Sequence, residues 1–233
     1  MNMTDVAERG LVLLGCGKMG SAMLEGWLRT GLPAKSVYVI DPKPAAWLQE
    51  EEVHLNAALP ERPAIVIVAV KPQMMGDALP KITRFGGGET LIVSIAAGTQ
   101  IATFEDLLGA GTPIIRAMPN TPAAIGRGIT AIFGNALTTG DQLDLAEALL
   151  MSVGQVVRLQ DEGQMDAVTA VSGSGPAYVF HMIECLAAAA EAHRAALTER
   201  ALSVLRSLSP LLEGLGAGRK LLAHRRPNPP RVP

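Results

Sequence analysis

Short unbroken apolar runs punctuate the first 160 residues, with helically spaced apolar positions between them. Runs at 11–14 (LVLL), 37–41 (VYVID), 64–70 (AIVIVAV), 90–98 (TLIVSIAAG), 112–120 (TPIIRAMPN), 128–134 (GITAIFG) and 155–159 (QVVRL) predict strands. A run without polar alternation suits a strand covered on both faces, as in a parallel sheet. Ala22, Met23, Leu24, Trp27 and Leu28 mark a helix after Gly20. Pro72 stops the third run and opens a helical stretch through Leu79, and a short helix is predicted from Ile101 to Leu108. Thr139 to Met151 reads as a capped amphipathic helix with Leu143, Ala146 and Leu150 on one stripe. This alternation predicts an α/β fold with a doubly wound sheet.

From Asp161 the strand signals stop. Glu162 to Val171 reads as a helix, SGSGP at 172–176 interrupts it, and a long helix runs from about Ala177 through MIECLAAAAEA. The change predicts a boundary near residue 160, with domains at 1–160 and 161–233, the second all helical.

Composition narrows the function classes. Hydrophobic residues make up 48% of the 233 positions, enough for a sizeable core. Aromatics at 3% argue against a stacking platform for single-stranded nucleic acid. A net charge of −2 implies no steering toward nucleic acid or membrane. Cys16 and Cys185 lie too far apart in sequence to suggest a disulfide framework. His54, His181, His193 and His224 lack metal-ligand spacing, so no metal is expected. The first residues, MNMTDVAERG, have no signal-peptide pattern, and no apolar run reaches transmembrane length. The expectation is a cytoplasmic protein.

Candidate chemistry starts where the first strand ends. Gly15, Gly17 and Gly20 have the spacing GxGxxG between a strand and a helix. Such a turn lets backbone approach a pyrophosphate, and the helix end offers free N–H groups and partial positive charge. Asp41 closes the second strand-like run, where a carboxylate holds a ribose hydroxyl. A plain tight turn is the alternative reading of the glycines alone.

Five segments together go beyond generic dinucleotide binding: GCGKMG at 15–20, AVKPQ at 69–73, SIAAG at 94–98, RAMPNTPA at 116–123 and DAVTAVSGSGPAYVF at 166–180. Over residues 11–192 the chain resembles the pyrroline-5-carboxylate reductases. The resemblance implies a Rossmann-type doubly wound sheet in a dinucleotide-binding domain at 1–160, then an all-helical dimerisation domain at 161–233. It implies hydride transfer from NADPH or NADH to 1-pyrroline-5-carboxylate, giving L-proline in proline biosynthesis, by a homodimer or higher homo-oligomer. Carried over motif by motif, Gly15, Cys16, Gly17, Lys18, Met19 and Gly20 would wrap the pyrophosphate. Asp41, with Pro42, would sit by the adenosine ribose, and Asn56, just before the third run, on the adenosine side. Ala69, Val70, Lys71 and Pro72 would line the cofactor at one strand end, and Ile95, Ala96 and Ala97 at the next, nearer the nicotinamide. Glu162 matches a position near the amino-acid substrate. No catalytic residue is implied.

Plainer readings stand beside several of these. Lys71 suits a surface lysine before a helix, Asn120 and Thr121 suit the turn that Pro119 and Pro122 demand, and Glu162 suits a first-turn dipole partner. Asp41 disfavours a 2′-phosphate, and Lys43 offsets it. A β-hydroxy acid dehydrogenase is disfavoured, because residues 177–192 offer no lysine as general acid.

The family pattern continues with a glycine-rich segment resembling SPGGTT that holds the substrate, and residues 193–233 contain none. They carry eight Lys and Arg against two Glu, with five prolines. Arg194 to Leu215 suits a helix broken at Pro210, and RRPNPPRVP at 225–233 suits disorder. The composition is that of a GC-rich gene read out of frame, so the helical domain is expected to be truncated, native-like to about 192. A cofactor-binding but catalytically impaired product is then the alternative function.

Overall fold

The computed structural model describes residues 1–192. Met1–Ser174 form one compact unit, and a second unit begins at Gly175. The first opens with α1 (Met3–Arg9), then β1 (Leu11–Leu14), α2 (Lys18–Arg29), β2 (Val37–Ile40), β3 (His54–Leu55) and β4 (Ile65–Val68). There follow α3 (Met75–Ala78), β5 (Leu91–Ser94), α4 (Ile101–Leu108), β6 (Ile114–Met118), β7 (Gly128–Gly134), α5 (Gly140–Leu150), β8 (Gly154–Arg158) and α6 (Gln164–Val168). The strands form one sheet in the order β3-β2-β1-β4-β5-β6-β7-β8.

Residue alternation explains why the runs are apolar throughout. Leu11, Leu13, Ile65, Ile67, Leu91 and Val93 join one core with Met23, Leu24 and Trp27 of α2 and Leu145 and Leu149 of α5. Val12, Leu14, Val66, Val68 and Ile92 join the other core, with Leu79, Ile82, Phe85 and Phe104. β1, β4 and β5 are therefore buried on both faces, as the missing polar alternation requires. Trp27 donates its indole N–H to the Leu149 carbonyl at 2.9 Å, which ties α2 to α5. β1 pairs in parallel with β2 on one side and β4 on the other, so the strand order reverses between β1 and β4.

Several expectations shift. The predicted runs overshoot: Asp41, Ala69, Val70 and Ile95–Gly98 lie beyond the strands, where the backbone leaves the ladder to form loops. The helix expected from Pro72 through Leu79 is a chain of short turns around α3, and Pro80, just past it, has no amide to extend it. β7 runs antiparallel to β6, since the connection through Thr121–Ile125 is too short for a crossover. SGSGP falls where the α-helical pattern is interrupted, between α6 and Gly175. The chain passes through a wide turn at Thr169–Gly173, closed by the Ser174 amide donating to Thr169 O at 2.9 Å. α1 carries a signal not read above: Asn2 accepts from the Thr4 and Asp5 amides while Asp5 accepts from the Asn2 amide. The compact first unit runs past residue 160 to Ser174, taking in α6 and the wide turn.

The second unit is described by α7 (Gly175–Ala192). Tyr178, Val179, Met182 and Leu186 fall on one face of α7 and all are exposed. Among the described residues no helix is long and apolar enough to cross a membrane. The expected tail helix, the disordered end, His193 and His224 lie outside the described residues.

Candidate functional site

The glycine turn is built where β1 leaves the sheet. Gly15 N–H donates to Ile40 O at 2.8 Å, and Ala69 N–H donates to Leu14 O at 2.8 Å, so the turn is anchored to β2 and to the end of β4. Gly15 has φ +91°, and a Cβ there would lie 2.8 Å from Ala69 O and from Val70 Cγ1. At Gly20 a Cβ would lie 2.5 Å from Gly15 O, so the first turn of α2 packs beneath the loop only without a side chain. Gly17 differs: a Cβ would meet nothing within 4 Å. Gly17 is also the N-cap of α2 and supplies no side-chain cap, which leaves first-turn amides for a ligand.

A hydrogen-bonded chain fixes this loop from the side. Asn56 has φ 50°, a left-handed conformation that asparagine tolerates. Its Oδ1 accepts from Asp41 N–H at 3.0 Å and its Nδ2 donates to Asp41 O at 2.9 Å. With its backbone clasped, Asp41 turns its carboxylate inward: Oδ2 accepts from Cys16 N–H at 2.7 Å, and Oδ1 from Lys43 N–H at 2.7 Å. Asp41 thus holds the glycine turn as well as facing the cleft. Asn56 follows β3, the short strand absent from the sequence reading, so it sits beside Asp41 and not directly before β4.

The strand reversal opens a cleft of about 730 Å³. Gly15, Cys16, Gly17, Lys18, Asp41, Ala69, Val70 and Lys71 line it, together with Ser21, Pro42, Lys43, Ala45 and Met74. Three lysines face one carboxylate, which suits an anionic ligand. The Cys16 thiol is pushed up from its ordinary pKa, mainly by burial; Asp41 and Glu25 act the same way, and Ser21 opposes them. Ser21, unread in the sequence, donates its hydroxyl to Cys16 O at 3.0 Å and buttresses the turn. The open position at Gly17, the uncapped helix end and the lysines fit a dinucleotide pyrophosphate.

Not every expected residue lines this cleft. Met19 and Gly20 lie within the first turn of α2, and Pro72 starts the turn that Lys71 caps. Ile95, Ala96 and Ala97 stand at the neighbouring strand end, where Ile95 N–H donates to Val68 O at 3.0 Å. Glu162 lies between β8 and α6. Its Oε1 accepts from Arg116 Nη1 at 2.9 Å and from Ile101 N–H at 2.9 Å. Arg116, its side chain 6% exposed, lies in β6 and escaped the sequence reading, although a charge inside an apolar strand run is itself a signal. Asn120 donates to Ser172 Oγ at 3.3 Å and accepts from Ile129 N–H at 2.9 Å, fastening the Pro119–Pro122 turn to the wide turn.

Comparison with known proteins agrees with both halves. Residues 10–98 match the family model described as NADP oxidoreductase coenzyme F420-dependent. Residues 162–208 match the model described as pyrroline-5-carboxylate reductase dimerisation, which extends the likeness past Ala192. A pyrroline-5-carboxylate reductase of Pseudomonas aeruginosa is 37% identical over 78% of this chain and 68% of its own length. The pyrroline-5-carboxylate reductase structure from Coxiella burnetii is 29% identical, with TM-score 0.73 over 94% of this chain and 82% of its own. The Plasmodium falciparum pyrroline carboxylate reductase with NADP bound is 26% identical, with TM-score 0.70 over 94% and 84%.

Proposed function

The chain belongs to the pyrroline-5-carboxylate reductase family, and from that premise we propose that it reduces 1-pyrroline-5-carboxylate to L-proline with NADPH or NADH. The observation that carries the cofactor half is the cleft at the β1/β4 reversal, with its glycine turn held by Asp41. When bound, the nicotinamide supplies hydride to the ring carbon of the C=N bond, whose nitrogen ends protonated. This chain's residues do the rest. Gly15, Cys16, Gly17, Lys18, Met19 and Gly20 wrap the pyrophosphate, and Asp41 and Asn56 form the adenosine side. Ala69, Val70, Lys71 and Pro72 border the cofactor, Ile95, Ala96 and Ala97 the nicotinamide, and Glu162 stands toward the substrate. A protonated cyclic imine is readily reduced once aligned, so alignment and exclusion of water carry the rate, and no nucleophile is required.

The same proposal divides the chain by role near residue 160, into a cofactor domain and a helical domain whose family likeness runs to residue 208. The exposed apolar face of α7 supports a homo-oligomer formed through the helical domain. Two free thiols suit a cytoplasmic location.

The test is oxidation of NADPH and NADH by the purified chain with and without 1-pyrroline-5-carboxylate, with L-proline measured directly. Imine-dependent oxidation with equal proline formation is expected, and no proline with either cofactor overturns the proposal.

A further inference from the structure

We propose that Glu162 is a positioning residue for the nicotinamide side of the cofactor: it caps α4 from outside the helix and so fixes the 95–100 loop. The proposal rests on the reading that Ile95, Ala96 and Ala97 border the nicotinamide.

α4 starts without a cap of its own. The loop leaves β5 at Ser94 and enters α4 at Ile101. Gln100 occupies the N-cap position and makes no side-chain capping bond. A helix start needs acceptors for its first amides, and a carboxylate there also favours the helix dipole. Glu162 is that acceptor, taking the Ile101 amide at 2.9 Å from 61 residues away in sequence.

The carboxylate is itself fixed. Arg116 donates to the same Oε1, and Asp166 lies 4.0 Å from the other end of the guanidinium. Arg116 emerges from β6, which pairs with β5, so its backbone does not move independently of Ser94. The loop is therefore held at both ends. At its start, Ile95 N–H bonds to Val68 O and Ala96 N–H to Ser94 Oγ at 3.2 Å. At its end, Ile101 is held by Glu162. Between them Gly98 has φ +73°, and Thr99 N–H donates to Ala96 O at 3.4 Å across it. Without the cap, the far end of the loop has lost its tether. Glu162 also opens the segment that matches the dimerisation model, so the tether joins the nicotinamide loop to the start of that segment.

The test uses the full chain and two ligands: NADPH, and 2′-phospho-ADP-ribose, which lacks the nicotinamide. Glu162→Ala is expected to weaken NADPH about five- to tenfold and to leave the shorter ligand within about twofold. Glu162→Gln keeps an oxygen for the Ile101 amide and is expected to restore most of the loss. Unchanged NADPH affinity in Glu162→Ala, with a raised KM for the imine, overturns the proposal and leaves Glu162 with its substrate role alone. Equal loss for both ligands overturns it too, as a general structural effect. If the wild-type chain binds the two ligands equally, the reading of the 95–97 loop fails first and the proposal falls with it.

Discussion

Around the ends of β1, β2 and β4 the chain is shaped by backbone, whereas around the ends of β5 and β6 it is shaped by side chains distant in sequence. In the first region Gly15 and Gly20 let main chain touch main chain, and Asp41 closes the arrangement from 25 residues away. In the second, Arg116 and Glu162 meet across 46 residues. At Gly15 and Gly20 the backbone placement tolerates no added atom. A side-chain tether can loosen by degrees. The two ends of the cofactor site should therefore fail differently.

The largest effect is expected at Gly15. Alanine there combines φ +91° with a Cβ 2.8 Å from Ala69 O. Strain of about 1–3 kcal/mol adds to the clash, so urea unfolding should show a loss at or above the top of that range. NADPH binding should disappear with it. A Gly15→Ala chain of wild-type stability would show that the turn is less tightly fixed than these distances say.

Next comes Arg116→Met, which leaves Glu162 without its guanidinium partner. The expected loss is roughly 1–3 kcal/mol, limited because the Glu162 side chain is 28% exposed. Arg116→Lys should recover part of it. The comparison sharpens if NADPH affinity falls while affinity for 2′-phospho-ADP-ribose holds. If both fall together, the two ends are one mechanical unit.

Gly17→Ala probes the first region without straining it, because its Cβ would meet no protein atom within 4 Å. Stability should hold while NADPH affinity drops about tenfold, about 1.4 kcal/mol, from crowding of the pyrophosphate. Unaltered affinity would place the pyrophosphate elsewhere. A smaller effect is expected from Lys43→Glu. At an exposed charge worth about 0.2–1 kcal/mol, NADPH should weaken no more than about fivefold, and NADH less. An equal change for both cofactors would remove Lys43 from 2′-phosphate recognition.

The same contrast explains what was legible in the sequence. Two-sided burial leaves unbroken apolar runs, and φ +91° demands glycine, so strands and turn announced themselves locally. The helix at Ile101–Leu108 and the capping box at Thr139 were local too. What stayed hidden depends on the third dimension. The antiparallel turn of β7 is decided by the length of a connection and by pairing. The role of Asn56 depends on β3, only two residues long. The Arg116–Glu162 bond joins a strand run and a helix start that no spacing rule links. The glutamate was read through the family resemblance as standing near the substrate, and its partners came only with the fold.

The smallest effect concerns Cys16, inside the glycine turn, and it tests whether that turn stays closed. Burial is the main cause that holds the thiol above its ordinary pKa of 9.0, with Asp41 and Glu25 adding to it. A group whose folded pKa is raised contributes stability in full below its unfolded pKa. The contribution is lost as pH rises through the folded value, because only the unfolded chain gains the thiolate freely. Cys16→Ala has no such loss. The stability difference, wild type minus Cys16→Ala, should therefore shrink between about pH 7 and about pH 10 in paired urea titrations. Other titrating groups cancel in the difference. Exposed Cys185 should also react first with an alkylating agent. A difference that stays flat with pH would mean that the thiol ionises as readily folded as unfolded, and that water enters the turn which backbone contacts close.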